Sequence, residues 1–152
     1  MINPKILVTG ATGKTGGAVV TQLLAKGVPV RAMFRTPDKR SAALEARGAE
    51  VVVADIFDPD QLTNAMRGVR RAYYCPPYHP FVIQSASAFA VAAREMDLEQ
   101  IVGLSQWLAG PNHPSLMTRQ LWLIDRMFAA LPGIAHTVVN PGFVADSPYL
   151  EI

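Results

Sequence analysis

Ile6-Leu7-Val8-Thr9-Gly10-Ala11-Thr12-Gly13-Lys14-Thr15-Gly16-Gly17-Ala18-Val19-Val20 is the stretch on which the reading of this chain turns. Its first four residues are a compact run rich in β-branched side chains and read as a strand, while Ala18-Val19-Val20 with Leu23-Leu24 is spaced as a helix face. Between them lie three glycines in a GxxGxxG spacing, one residue wider than the GxGxxG form. After the first strand of an open α/β sheet, such a turn receives a dinucleotide pyrophosphate. Gly10 allows the tight turn, Gly13 lets the backbone approach the phosphates, and Gly16 lets the helix pack closely on the sheet. The helix start then presents amide N–H groups and a positive dipole end to the anion. The cofactor contacts expected here are Gly10, Thr12, Gly13, Lys14, Thr15 and Gly16. Gly13-Lys14-Thr15 also spells the end of a nucleoside-triphosphate loop, but that loop needs a glycine where this chain has Val8.

The strand–turn–helix unit recurs outward from this point. Val28 to Phe34 reads as a second strand with Pro29 near its start, and Thr36-Pro37-Asp38 supplies an N-cap, a first-turn proline and an early acid for the next helix. Gly48 ends that helix, Val51-Val52-Val53 is a third strand, Asp58-Pro59-Asp60 caps another helix, and Gly68 marks its stop. Ala72-Tyr73-Tyr74-Cys75 makes a fourth strand running into Pro76-Pro77. A helix near 80 to 96 carries Val82, Ala86, Phe89, Ala90 and Ala93 on one side, and the strand Ile101-Val102-Gly103-Leu104 follows. After a loop at Pro111 to Pro114, the stripe Leu121, Ile124, Met127, Phe128 and Leu131 marks a further helix. His136 to Val139 is a sixth strand, stopped by Pro141-Gly142. Short strands alternating with helices imply an α/β fold: a doubly wound parallel sheet, of the Rossmann type, with helices on both faces.

Composition narrows the class. The 152 residues are one domain's worth, half of them hydrophobic and 17% charged, so a folded globular domain spanning 1–152 is expected rather than disorder. A formal charge of +2 asks for no nucleic-acid partner. Cys75 is the single cysteine, which excludes an internal disulfide framework and suits a reducing compartment. The first apolar run meets Gly10 too soon for a signal peptide, and no run approaches the ~20 residues of a membrane span. The expectation is a cytoplasmic protein without a membrane partner.

Val8 to Gly16, the Arg35-Thr36-Pro37-Asp38-Lys39 stretch, Ala54-Asp55 after the third strand and Asn140-Pro141-Gly142 after the sixth together resemble NmrA-like atypical short-chain dehydrogenases, a group that includes NAD(P)H:quinone oxidoreductases. The resemblance covers nearly the whole chain. It implies an adenine-edge role for Asp55, although that carboxylate could equally serve a turn. At the end of the second strand an NAD-specific protein places Asp or Glu, and this chain has Arg35. A guanidinium pairs well with a 2′-phosphate, and Arg31 or Lys39 adds charge, so NADP(H) is expected in preference to NAD(H).

Ordinary short-chain dehydrogenases carry a Tyr and a Lys four residues apart on the helix before the sixth strand; counting back from Asn140 places those roles at Thr118 and Trp122, which cannot fill them. No catalytic residue is therefore assigned. Hydride transfer to a quinone remains open, because the product is phenolate-like and water can protonate it. Pro76, Pro77 and Tyr78 after the fourth strand, Ser105 and Gln106 after the fifth, and Asn140 after the sixth are the expected nicotinamide neighbours. His79, His113 and His136 are too scattered for a metal set, Cys75 reads as a buried structural thiol, and Arg67, Arg70 and Arg71 read as a solvated face.

Family members usually continue with another strand and a smaller lobe, so the expectation is a Rossmann domain without its substrate lobe. Phe143, Val144, Tyr149 and Leu150 would then form an exposed apolar end through which a homodimer could assemble. Two readings stand: an NAD(P)H-dependent reductase of a quinone-like small molecule, and a redox-sensing regulator that binds the cofactor without turnover and signals to a protein partner.

Overall fold

The computed structural model describes residues 3–142. Along them run β1 (Ile6–Val8), α1 (Lys14–Ala25), β2 (Val30–Phe34), α2 (Lys39–Ala46), β3 (Glu50–Val53), α3 (Pro59–Met66), β4 (Arg71–Tyr74), α4 (Val82–Glu95), β5 (Gln100–Leu104), α5 (Leu116–Ala129) and β6 (Ala135–Val139). The strands form one sheet in the order β3-β2-β1-β4-β5-β6, with every neighbouring pair parallel. Parallel neighbours cannot be joined by a hairpin, so each step needs a helical crossover, and the strand order reverses between β1 and β4. That reversal opens a crevice at the carboxyl ends of the strands, where doubly wound sheets bind ligands.

One face carries α3, α4 and α5. Met66, Phe89 and Phe128 from these helices pack with Leu7, Ala72, Tyr74 and Ile101 of the sheet. The Tyr74 ring sits 5.0 Å from Phe89 and 5.1 Å from Phe128, and its hydroxyl is 2.7 Å from Ser85 Oγ, so the one polar atom in this cluster is satisfied. Burial pushes the Tyr74 phenol well above its ordinary pKa. The opposite face is covered by α1 and α2, whose Val20 and Leu44 close over Val8, Val30 and Ala32. Beyond α1 that cover ends: Val19 and Leu23 border an apolar groove of about 380 Å³ whose floor is Tyr73, Val102 and Val139.

Three local expectations are corrected. The second strand starts at Val30 rather than Val28, because the Val28 N–H is taken by the Leu23 carbonyl at the end of α1 (3.0 Å). Helix α2 is capped by Asp38, not Thr36. The Asp38 carboxylate accepts the N–H groups of Arg40 and Ser41 while Ser41 Oγ accepts the Asp38 N–H, and this reciprocal box outcompetes a cap two residues earlier. Arg31 does not add charge to a cofactor site. It is buried in β2, where its guanidinium donates to Glu50 (2.8 Å) and to the carbonyls of Ala65 (2.6 Å) and Arg67 (2.7 Å). Phe143, Val144, Tyr149 and Leu150, expected to form an exposed end, lie outside the described residues.

Candidate functional site

The glycine turn builds the site from the backbone outward. Gly10 adopts φ +61°, where a side chain is strained, and a Cβ there would also lie 3.2 Å from Cys75 Cβ. Gly13 N–H returns to the Gly10 carbonyl (2.9 Å), and Gly17 N–H makes the first intrahelical bond to Gly13 (2.9 Å). A Cβ on Gly16 would lie 2.2 Å from the Gly10 carbonyl oxygen, so α1 starts against the turn at a distance only glycine permits. The N-cap Gly13 has no side-chain cap, and the first turn of α1 holds no acid. A helix start kept clear of carboxylates and pressed onto a glycine turn suits an anion such as a pyrophosphate. Thr9, fully buried, locks the turn to β4: its Oγ1 accepts the Cys75 N–H (2.8 Å). Thr15 Oγ1 lies 3.6 Å from Cys75 Sγ under the turn, and burial pushes that thiol's pKa up, which keeps it in the unreactive protonated form.

The turn opens into a cavity of about 280 Å³. Seven of the residues expected from sequence line it together: Gly10, Thr12, Arg35, Asp55, Pro76, Pro77 and Tyr78. Ile56, Phe57 and His79 add walls that sequence reasoning did not assign. Asp55 uses Oδ1 to accept the Phe57 N–H (3.0 Å), so it holds its own turn while facing the cavity. Gly13 and Lys14 stand exposed at the mouth, and Lys39 is exposed at the first position of α2. Arg40 was overlooked. Its guanidinium is held by both Asp38 (2.6 and 2.8 Å) and the Thr12 carbonyl (3.2 Å), which ties the Arg40–Asp38 ion pair to the glycine turn. The Arg40 hydrogen bond, followed by the Ser41 amide, holds Asp38 below its ordinary pKa.

Ser105 and Asn140 are not brought into this cavity. Ser105 is buried, and its hydroxyl donates to Asp125 Oδ2 at 2.6 Å. Asp125 is itself buried on α5; desolvation raises its pKa, and the Ser105 bond and Arg126 only partly oppose that. Asn140 is exposed beyond the end of β6. Thr118, at the position of the absent tyrosine, is buried and donates to Gln106 Oε1 (2.8 Å). Asp125 had a signal in the sequence: it falls on the same helical face as Leu121 and Phe128, a carboxylate inside an apolar stripe.

The remaining features are modest. A second cavity of about 280 Å³ lies between the β4–α4 loop and the start of α5. Arg70 and Arg71 pair with Glu99, and Arg67 Nε donates to Asn64, on the exposed face expected for them. Among the described residues no group of three or more His, Cys, Asp or Glu is placed to hold a metal, and no helix is long and apolar enough to cross a membrane.

A family model described as NAD(P)H-binding matches residues 10–148. The NAD(P)H azoreductase of Xenophilus azovorans is 32% identical over 139 residues, which cover 91% of this chain and 48% of that protein. Quinone oxidoreductase 2 of Escherichia coli is 29% identical over 153 residues, covering 93% and 50%. In the solved structure of the Citrobacter sp. triphenylmethane reductase complexed with NADP(H), the matched region gives a TM-score of 0.82 at 25% identity, covering 93% of this chain and 50% of that one. The chain thus spans about half the length of the curated relatives it matches.

Proposed function

Because this chain belongs to the NAD(P)H-binding family, we propose that it binds NADPH in preference to NADH and passes hydride to a quinone-like small molecule. The observation that carries the cofactor part is the cradle at Gly16, where a Cβ would fill the space between helix and turn, together with the cavity that runs from that turn to Arg35 and Asp55. In this reading the amides at the start of α1 take the pyrophosphate. Asp55 and the Ile56-Phe57 wall take the adenosine end, while Arg35, with Arg40 and Lys39 near it, takes the 2′-phosphate. The bound dihydronicotinamide supplies hydride. Ser105, Pro76, Pro77, Tyr78 and Asn140 are read as surroundings of its reactive end, with Ser105 acting from behind through its bond to Asp125.

The relatives named for azo compounds, quinones and triphenylmethanes point to conjugated acceptors. Such acceptors become stabilised products on taking hydride and need no tyrosine proton donor, which agrees with Thr118 and Trp122 standing at the dyad positions. The same substitution favours a second reading, a cofactor-binding sensor that signals to a protein partner. Titration with NADPH and NADH, followed by monitoring of NADPH absorbance with and without a naphthoquinone, tests both. Consumption supports the reductase; tight binding without consumption supports the sensor; no binding overturns both.

A further inference from the structure

The cavity beside the cofactor cleft has a composition that the reading so far does not use. Its walls are Tyr78, His79 and Pro80 from the β4–α4 loop and Leu116, Met117 and Gln120 from the first turns of α5. Tyr78 is 95% and Leu116 68% exposed, an expensive way to display two large apolar side chains unless something flat covers them. Pro77 and Pro80 flank Tyr78 and His79 and each fixes its own φ, which lowers the backbone freedom of the loop that carries them. Tyr78 and His79 also line the cofactor cavity, so the two spaces share a wall.

His79 is the polar element at that shared wall. Its Nδ1 accepts the Phe81 N–H (3.1 Å), and its ring stands 5.0 Å from Phe57 and 5.5 Å from Phe81. With Nδ1 committed as an acceptor, the neutral ring carries its proton on Nε2, which makes the other end of the imidazole a donor. The Gln120 amide adds a second donor among the cavity's walls. None of the six lining residues is acidic or carries a fixed charge.

We infer that this cavity is the acceptor site and takes a planar, uncharged aromatic of one or two rings bearing carbonyl oxygens, stacked on Tyr78 and Leu116, with His79 Nε2–H donating to an oxygen. The inference rests on the reductase reading above. At about 280 Å³ the space lies just under the roughly 300–1,000 Å³ of drug-sized pockets, a scale that suits a one- or two-ring acceptor such as a naphthoquinone. The redox balance is simple. The acceptor gains a hydride from the dihydronicotinamide, which is left oxidised; one acceptor oxygen becomes anionic, is held by the His79 N–H, and takes its proton from water.

Two variants test this in the full chain. His79→Asn keeps a side-chain oxygen able to accept the Phe81 N–H but removes the distal donor. Leu116→Asp removes an exposed apolar wall at a helix start, where an acid is tolerated. The primary readout is equilibrium dialysis of 1,4-naphthoquinone against protein saturated with NADP+, a complex that cannot turn over. His79→Asn should weaken binding by about 5-fold and Leu116→Asp by roughly 10-fold, with melting temperatures unchanged and, for Leu116→Asp, unchanged NADPH affinity. Naphthoquinone binding that neither variant alters overturns the site while leaving the reductase reading intact. Parent protein that binds NADPH but no naphthoquinone overturns the acceptor class; failure to bind NADPH overturns the reductase reading itself.

Discussion

Gly16→Ala is the most direct test of the cradle. The added methyl would sit 2.2 Å from the Gly10 carbonyl oxygen, 2.7 Å from its carbon and 3.0 Å from the Thr9 carbonyl oxygen. All three are backbone atoms of a turn held by Thr9 and Cys75, so no side chain can swing aside. Restoring ordinary contact near 3.4 Å requires the start of α1 to retreat by about 1 Å. Overpacking of this kind costs about 1–3 kcal/mol, which for a chain of this size lowers Tm by roughly 2–10 °C. The retreat also moves the amides aimed at the pyrophosphate. A hydrogen bond to a charged group contributes about 1.5–3 kcal/mol, so misaligning one of them should weaken NADPH roughly 10- to 100-fold. Gly17→Ala is the matched control, because its Cβ meets only the Ala11 carbonyl at 3.3 Å and alanine favours the helix. Thermal melts and NADPH titration by cofactor fluorescence read both effects. If Gly16→Ala binds NADPH within twofold of the parent and melts at the same temperature, the packing argument is wrong.

Other substitutions probe separate features. Arg35→Ala should weaken NADPH by about 1–3 kcal/mol and spare NADH; equal losses would remove the 2′-phosphate argument. Arg31→Ala should destabilise by about 1–3 kcal/mol through the unpaired Ala65 and Arg67 carbonyls and the lost stem packing, without changing relative NADPH and NADH affinities; denaturant unfolding and the same titrations measure this. Asp125 has a native pKa raised by burial, so the folded state binds a proton where the unfolded chain has released it. Stability from that group is therefore present below the ordinary aspartate value of 3.8 and lost as pH rises through the native value. Asp125→Asn, which can still accept from Ser105, should gain Tm over the parent as pH climbs from the acid side toward neutrality; a pH-independent difference would show that Asp125 does not titrate on folding.

The fold was legible because its signals are local. Each glycine or proline stop fell where a parallel βαβ unit needs one, and the resemblance carried by Gly10 to Gly16 and the later motifs holds for the chain as a whole. What escaped was whatever depends on side chains meeting across the sheet. Arg31 read as a free cation because nothing in its neighbourhood announces Glu50 or the carbonyls at the end of α3, which arrive from 19 to 36 residues away. The partner that holds the Ser105 hydroxyl, Asp125, lies twenty residues on and is not announced by anything beside Ser105. The histidines are too scattered for a metal set, and the place of His79 between two cavities depends on a β4–α4 loop and an α5 that meet only on folding. Arg40 had a local clue in its spacing from Asp38, yet its reach to Thr12 required the tertiary fold.

The uneven covering of the sheet sets up a gradient along the bound dinucleotide. Strands β1 and β2 lie between two helical layers, whereas β6 at the sheet edge has α5 on one side and an open groove on the other, with Val139 40% exposed. Amide hydrogens of β1 and β2 should accordingly outlast those of β6 in heavy water. The phosphate grip is anchored in the slowest-exchanging part of the molecule, and the end where electrons would leave rests on its softest ledge.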